Sequence, residues 1–260
     1  MKLGFIGMGN MAYAILKGGH DAGFFAGSEV YAYDPNTDRL AQVAAETGIR
    51  PCGSVTQVAE QADIIMLAVK PNIIESVVTE MGSALENKAV LSIASSWTTQ
   101  RLKGILPASA RAMFTLPNTP CMVGAGMVLG EDTYDFTPEE YEYVNAMFSS
   151  MGKLILVSPK IMNGASTVTG CGPAFFYLIM EAFADGAVMY GVPRQMAYDL
   201  VAQTAMGAGK MLLETGTHPG QLKDNVCSPG GTTIRGIRAL EDAGVRSAMI
   251  DAVDAASKNA

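Results

Sequence analysis

The 260-residue chain is 49% hydrophobic and 17% charged, and its net charge is −7. That is the composition of a folded protein with room for one large domain or two ordinary ones, and its acidic balance argues against a nucleic-acid partner or an anionic membrane surface. The 4 cysteines (Cys52, Cys121, Cys171, Cys227) form no CxxC pair and the 2 histidines cannot cluster, so no metal centre, dense disulfide framework or His-based catalytic triad is expected.

The N-terminal segment MKLGFIGMGNMA is interrupted by Gly4, Gly7 and Gly9, so it reads as strand and turn and not as a signal peptide. No apolar run approaches the roughly 18 residues of a membrane span, and the expected location is the cytoplasm. Residues 2–6 form a buried strand, followed by a turn and a helix through Leu16. Residues 30–33 make a second strand that ends at Asp34-Pro35, and 37–47 a helix with Leu40, Val43 and Ala44 on one face. Strands follow at 64–69, 88–94 and 111–115, with further candidates at 127–129 and 153–157; helices fill 73–85 and 138–151. This alternation predicts an α/β fold with a Rossmann-like, doubly wound parallel sheet.

The alternation stops near Ser158-Pro159. Beyond it only helices are expected: 173–190 with Pro173 in its first turn and Gly191 past its end, 194–215 closed by Gly216, 219–227, and 232–258 broken at Gly244. The predicted boundaries are an α/β domain over 1–159 and an all-α domain over 160–260. The 17 methionines fit as core filler.

The first turn reads G-x-G-x-x-A. Gly7 permits the tight turn, Gly9 lets the backbone approach a pyrophosphate, and Ala12 lets helix and strand pack closely. The helix N-terminus offers free N–H groups and partial positive charge. Asp34 ends the second strand, where a carboxylate accepts ribose hydroxyls and favours NADH. Arg39, with Asn36 close by, could instead pair with the 2′-phosphate of NADPH. Asp34 could also simply cap the next helix.

In such sheets ligands bind beyond the carboxyl ends of the strands. Ala68-Val69-Lys70-Pro71, Ala94-Ser95-Ser96 and Leu116-Pro117-Asn118-Thr119-Pro120 stand at three of those ends. Residues 225–236, NVCSPGGTTIRG, break a helical region with Pro229, Gly230 and Gly231. Pro costs about 3 kcal/mol and Gly about 1 kcal/mol inside a helix, so one helix must end and another begin there. The new N-terminus at Thr232-Thr233 would offer N–H groups and hydroxyls to a small anion.

GFIGMGNMA, LAVKP, LPNTP, GCGPAF and LKDNVCSPGGTTIRGIRALE, in this order and over about residues 3–255, resemble the pyrroline-5-carboxylate reductase family. The resemblance implies reduction of the imine of Δ1-pyrroline-5-carboxylate to L-proline with NADPH or NADH. It also implies a homodimer intertwined through the helical domain, often assembled further into a ring of dimers. Cofactor contacts would come from Gly7, Gly9, Asn10 and Met11, with Asp34 at the ribose and Ala68, Lys70, Pro71 and Asn118 along the strand ends. Ala94, Ser95 and Asn225 would lie near the nicotinamide. Ser228, Gly230, Gly231, Thr232 and Thr233 would hold the substrate carboxylate, and Lys70, Ser228 and Thr233 would stand closest to the chemistry.

The chain departs from the family pattern in three places. Ser92-Ile93-Ala94-Ser95-Ser96 stands where Ser-Ile-Ala-Ala-Gly is more usual. Thr169-Gly170-Cys171-Gly172-Pro173-Ala174-Phe175 stands where Ser-Gly-Ser-Gly-Pro-Ala-Tyr is usual. Asp34 stands where Ser is common in relatives that prefer NADPH. The competing reading is a hydroxyacid dehydrogenase of similar two-domain build. Reducing a carbonyl needs an acid beside the oxygen, and related enzymes use a Lys in the first helix of the helical domain. The stretch from Pro173 to Gly191 contains no Lys, which favours an imine, although Lys70 or a Tyr from elsewhere could still serve as the acid. A nucleotide-sensing protein without turnover is the non-enzymatic alternative.

Overall fold

Short apolar runs make the strands, as their pattern predicts. The computed structural model describes residues 1–258. In chain order the first part is β1 (Leu3–Ile6), α1 (Asn10–Asp21), β2 (Val30–Tyr33), α2 (Thr37–Thr47), β3 (Arg50–Pro51), α3 (Val55–Gln61), β4 (Ile64–Leu67) and α4 (Ile74–Met81). It continues with β5 (Ala89–Ser92), α5 (Thr99–Lys103), β6 (Arg111–Leu116), β7 (Gly126–Glu131), α6 (Pro138–Ser150), β8 (Gly152–Val157) and α7 (Pro159–Ser166). The elements β3, α3 and α5 are too short to leave a periodic signal in the sequence.

The eight strands form one sheet in the order β3-β2-β1-β4-β5-β6-β7-β8. All pairs are parallel except β6–β7. The link between those two carries only a 3-10 turn at Thr119–Val123, too short for a crossover helix, so the chain reverses. The order reverses between β1 and β4, which makes a crevice at the carboxyl ends.

Every residue of β1, β4 and β5 is buried, as strands covered on both faces must be. Their side chains alternate between two cores. Leu3, Phe5, Ile64 and Met66 join Ile15, Leu16, Val43 and Phe148 from α1, α2 and α6. Ile6, Ile65 and Leu67 join Val58, Val78, Trp97 and Leu102 on the other face, where α3, α4 and α5 lie.

The chain divides by packing into two compact units, Met1–Gly170 and the residues from Cys171 onward. The second holds α8 (Gly172–Met189), α9 (Arg194–Thr215), α10 (Pro219–Val226), α11 (Thr232–Asp242) and α12 (Val245–Ser257). Ala184 of α8 and Ala197 of α9 are fully buried, but Phe176, Tyr177, Leu178, Phe183 and Met189 are exposed. A helical unit this small leaves its large apolar side chains uncovered within one chain.

One expectation needs correcting. The helical stretch Pro159–Met189 is 31 residues long and contains an 18-residue window with a mean hydropathy of 1.2, enough by length and composition for a membrane span. The sequence reading missed it because a π turn at Thr167–Cys171 joins two apolar segments that look separate.

Candidate active site

The glycine turn is built as its motif requires. Gly7 has φ +94°, and a Cβ there would lie 2.8 Å from the Ala68 carbonyl oxygen at the end of β4. Gly9 is the N-cap of α1, with no side chain capping it and open space where its Cβ would be. The first helical bond runs from Tyr13 N to the Gly9 carbonyl, so the N–H groups of Asn10, Met11 and Ala12 have no partner within the helix. An uncapped helix start with no acidic residue in its first turn suits a phosphate. The residues present therefore fit a dinucleotide.

Asp34 faces this turn. Its Oδ2 accepts the Met8 N–H at 2.6 Å and its Oδ1 accepts the Asn36 N–H at 2.8 Å. The cap of α2 is Asn36, whose Oδ1 accepts the Arg39 N–H at 3.0 Å. The Arg39 guanidinium lies 4.5 Å from the Tyr13 ring centroid and makes no ion pair among the described residues.

Lys70 is exposed just beyond β4, and its carbonyl accepts the Ile73 N–H in the 3-10 turn that Pro71 starts. Ala68 is half-buried, Ala94 is buried and Ser95 exposed. Ser96 adopts φ +67°, a left-handed conformation rare for a residue with a Cβ. Asn118 is only 7% exposed, and both ends of its amide are engaged. Its Oδ1 accepts the Met127 N–H at 2.8 Å and its Nδ2 donates to the Thr169 carbonyl at 2.9 Å. Asn118 thus ties the loop after β6 to the start of β7 and to the π turn. Trp97 and Arg101 carry no signal in the sequence beyond the lone tryptophan next to Ser95-Ser96, and Thr169 stands out there only as a departure from the family pattern.

Burial pushes the Cys121 thiol up to about 11, so it stays protonated and is no nucleophile at neutral pH.

In the helical unit the SPGG segment ends one helix and starts the next. The Cys227 N–H bonds the Asp224 carbonyl as α10 ends, and the Gly231 N–H bonds the Ser228 carbonyl at 3.0 Å. Gly230 has φ +71°. Gly231 is the N-cap of α11 without a side-chain cap, and a Cβ on it would lie 2.5 Å from Ser228 Oγ. The turn therefore gathers Ser228, Gly230, Gly231, Thr232 and Thr233 around an open helix start. Arg235 adds a cation one turn on, its Nε donating to the Gly231 carbonyl at 3.3 Å. Asn225 is exposed near the end of α10, and its Oδ1 accepts from Gln221.

The glycine turn at β1, the polar strand ends and the separate helical unit define a two-domain oxidoreductase of the nicotinamide-dinucleotide class. Over 253 residues the chain is 41% identical to a pyrroline-5-carboxylate reductase of Escherichia coli K12, covering 97% of this chain and 94% of the relative. The chain belongs to the pyrroline-5-carboxylate reductase family. A relative so named from Methanosarcina acetivorans is 38% identical over 99% of this chain and 96% of its own length. Residues 159–260 match the family model "Pyrroline-5-carboxylate reductase dimerisation", and residues 2–96 match "NADP oxidoreductase coenzyme F420-dependent". The crystal structure of the Plasmodium falciparum pyrroline carboxylate reductase, with NADP bound, matches with a TM-score of 0.88 at 31% identity, over 100% of this chain and 96% of that one.

Proposed function

We propose that this protein reduces Δ1-pyrroline-5-carboxylate to L-proline with NADPH or NADH. The observation that supports the reading is the uncapped start of α11 beside Ser228, where Gly230, Gly231, Thr232 and Thr233 would receive a small carboxylate. A reduced nicotinamide, when bound, supplies the hydride. The free N–H groups of Asn10 and Met11 hold the pyrophosphate, and Lys70, Pro71, Ala94 and Ser95 orient the nicotinamide end. Ser228 Oγ, the Thr233 hydroxyl and the N–H groups of Thr232 and Thr233 hold the substrate carboxylate. A cyclic imine is readily protonated near neutral pH, so its carbon is already electrophilic. What the chain must do is align and desolvate it, and alignment alone is worth several kcal/mol. The absence of Lys from α8 agrees with a substrate that needs no strong acid at the reacting atom.

Residues 1–159 serve the cofactor, and 160–260 serve the substrate and dimerisation. The exposed apolar side chains of α8 and α9 support a homodimer closed through this face, which also accounts for the apolar Pro159–Met189 stretch without a membrane. The enzyme works in the cytoplasm on a small molecule, with no nucleic acid or lipid partner, and its dimers assemble into a ring.

The test is the initial rate of NADPH and NADH oxidation with pyrroline-5-carboxylate. Turnover with at least one cofactor is expected, and a folded sample that turns over neither refutes the reading. Cofactor binding without turnover would mark a nucleotide sensor.

A further inference from the structure

We propose that Trp97 is a positioning residue that locks the loops after β4 and β5 into one preformed cofactor platform. This rests on the cofactor reading above. Trp97 is 1% exposed, packed in the core that also holds Ile74, Val77 and Leu102. Its indole N–H donates to the Pro71 carbonyl at 2.8 Å, across 26 positions of sequence. Its backbone N–H bonds the Ala94 carbonyl at 3.2 Å and closes the turn Ala94–Trp97. One side chain therefore reaches from the loop of Ala94 and Ser95 to the loop of Lys70 and Pro71.

The turn it closes is one that resists its own sequence. Ser96 is the third residue of the turn, and its φ of +67° is a value that glycine adopts freely and serine does not. Arg101 supplies the restraint. Its guanidinium lies 3.9 Å from the Trp97 ring centroid, and its Nη1 donates to the Ser96 carbonyl at 3.2 Å. Its Nη2 lies 3.7 Å from Glu75 in α4, the helix that follows the Pro71 loop. Indole and guanidinium thus bracket the strained residue and fasten it to both loops. Loops held this way need no ordering by the cofactor, and the affinity otherwise spent on ordering is retained.

The experiment uses the full chain with three substitutions, Arg101→Ala, Trp97→Phe and Ser96→Gly, alone and combined. Cofactor affinity is read from the emission of NADPH itself, and loop order from amide hydrogen exchange of the unliganded protein over residues 69–73 and 94–97. Arg101→Ala and Trp97→Phe should each weaken NADPH binding about fivefold, the scale of one net hydrogen bond. Both should speed exchange in the two loops together, although Trp97→Phe leaves the Pro71 loop's own residues intact. Adding Ser96→Gly to Arg101→Ala should recover most of the loss, since glycine holds that conformation without the bracket. A general packing defect would show no such rescue. Arg101 is half exposed, so its variant folds even where Trp97→Phe does not. Exchange that speeds up in 94–97 alone, an NADPH affinity unchanged in both single variants, or absence of rescue overturns the proposal. A wild-type protein that binds neither cofactor refutes the cofactor reading, while the exchange data on the unliganded protein still decide whether the bracket exists.

Discussion

The carboxylate of Asp34 accepts the backbone N–H of Met8 at 2.6 Å, joining the end of β2 to the middle of the glycine turn. Its second oxygen takes the Asn36 N–H, so two amides already share its charge before any ligand arrives. Asp34 is thereby a strut for the glycine turn as well as the group that would face the adenosine ribose.

Asp34→Ser should have two separable effects. The turn loses an acceptor for Met8, and affinity for both cofactors falls, by up to the roughly 1.5–3 kcal/mol of a charged hydrogen bond and toward the lower figure for a half-buried group. Like-charge repulsion of a 2′-phosphate also disappears, so the NADPH/NADH ratio of kcat/KM rises. Steady-state kinetics with both cofactors measures the two effects; an unchanged ratio would leave Asp34 the strut role alone.

Thr233→Ala should raise the KM for the imino acid about tenfold or more, from the loss of a hydrogen bond to a charged group. Its NADPH dissociation constant should match the wild type. An unaltered KM would place the carboxylate elsewhere.

Gly7→Ala should be far more damaging than its size suggests. The new Cβ needs φ +94° and meets a backbone carbonyl 2.8 Å away, which no side-chain rotation relieves. Left-handed strain alone costs about 1–3 kcal/mol. Loss of NADPH binding together with a lowered Tm is expected. Gly231→Ala is the contrast: its Cβ meets Ser228 Oγ at 2.5 Å, a movable hydroxyl, and the Ser228 carbonyl oxygen at 3.1 Å, so Tm should fall less than for Gly7→Ala while the substrate KM rises.

Glu140 and Arg111 give the first unit a pH dependence. Burial alone would raise the Glu140 carboxyl, but the Arg111 guanidinium and the Thr137 N–H of the capping box outweigh it and hold it below the ordinary range. A depressed carboxyl stabilises the fold above its unfolded pKa, about 4.3, and the contribution is lost as pH falls through the lower folded value. In denaturant titrations Glu140→Gln should be less stable than wild type at pH 7, by about 1.5–3 kcal/mol. The gap should close in acid; a constant gap down to low pH would assign the effect to packing.

Much of this protein was open to inspection in one dimension. Apolar runs with turn residues between them announced the strands. Gly7 and Gly9 announced the turn after β1: Gly7 because its φ of +94° and the nearby Ala68 carbonyl exclude a Cβ, Gly9 because it leaves open space at the start of α1. Pro229-Gly230-Gly231 announced a second helix start, because proline and glycine break a helix and Gly230 takes a φ of +71°. Such signals are local: a backbone angle or a missing Cβ is written in the residue itself.

What only the tertiary structure decided is how distant residues spend their hydrogen bonds. Nothing in the sequence says that Asp34 turns to Met8, that Asn118 commits both ends of its amide to Met127 and Thr169, or that Trp97 reaches Pro71. The antiparallel β6–β7 pair and the π turn that fuses two apolar segments were equally hidden. A side chain's type sets which bonds it can form, and the sequence states the type. Which partner it finds depends on what the fold brings within about 3 Å, a distance that exists only after the chain has packed.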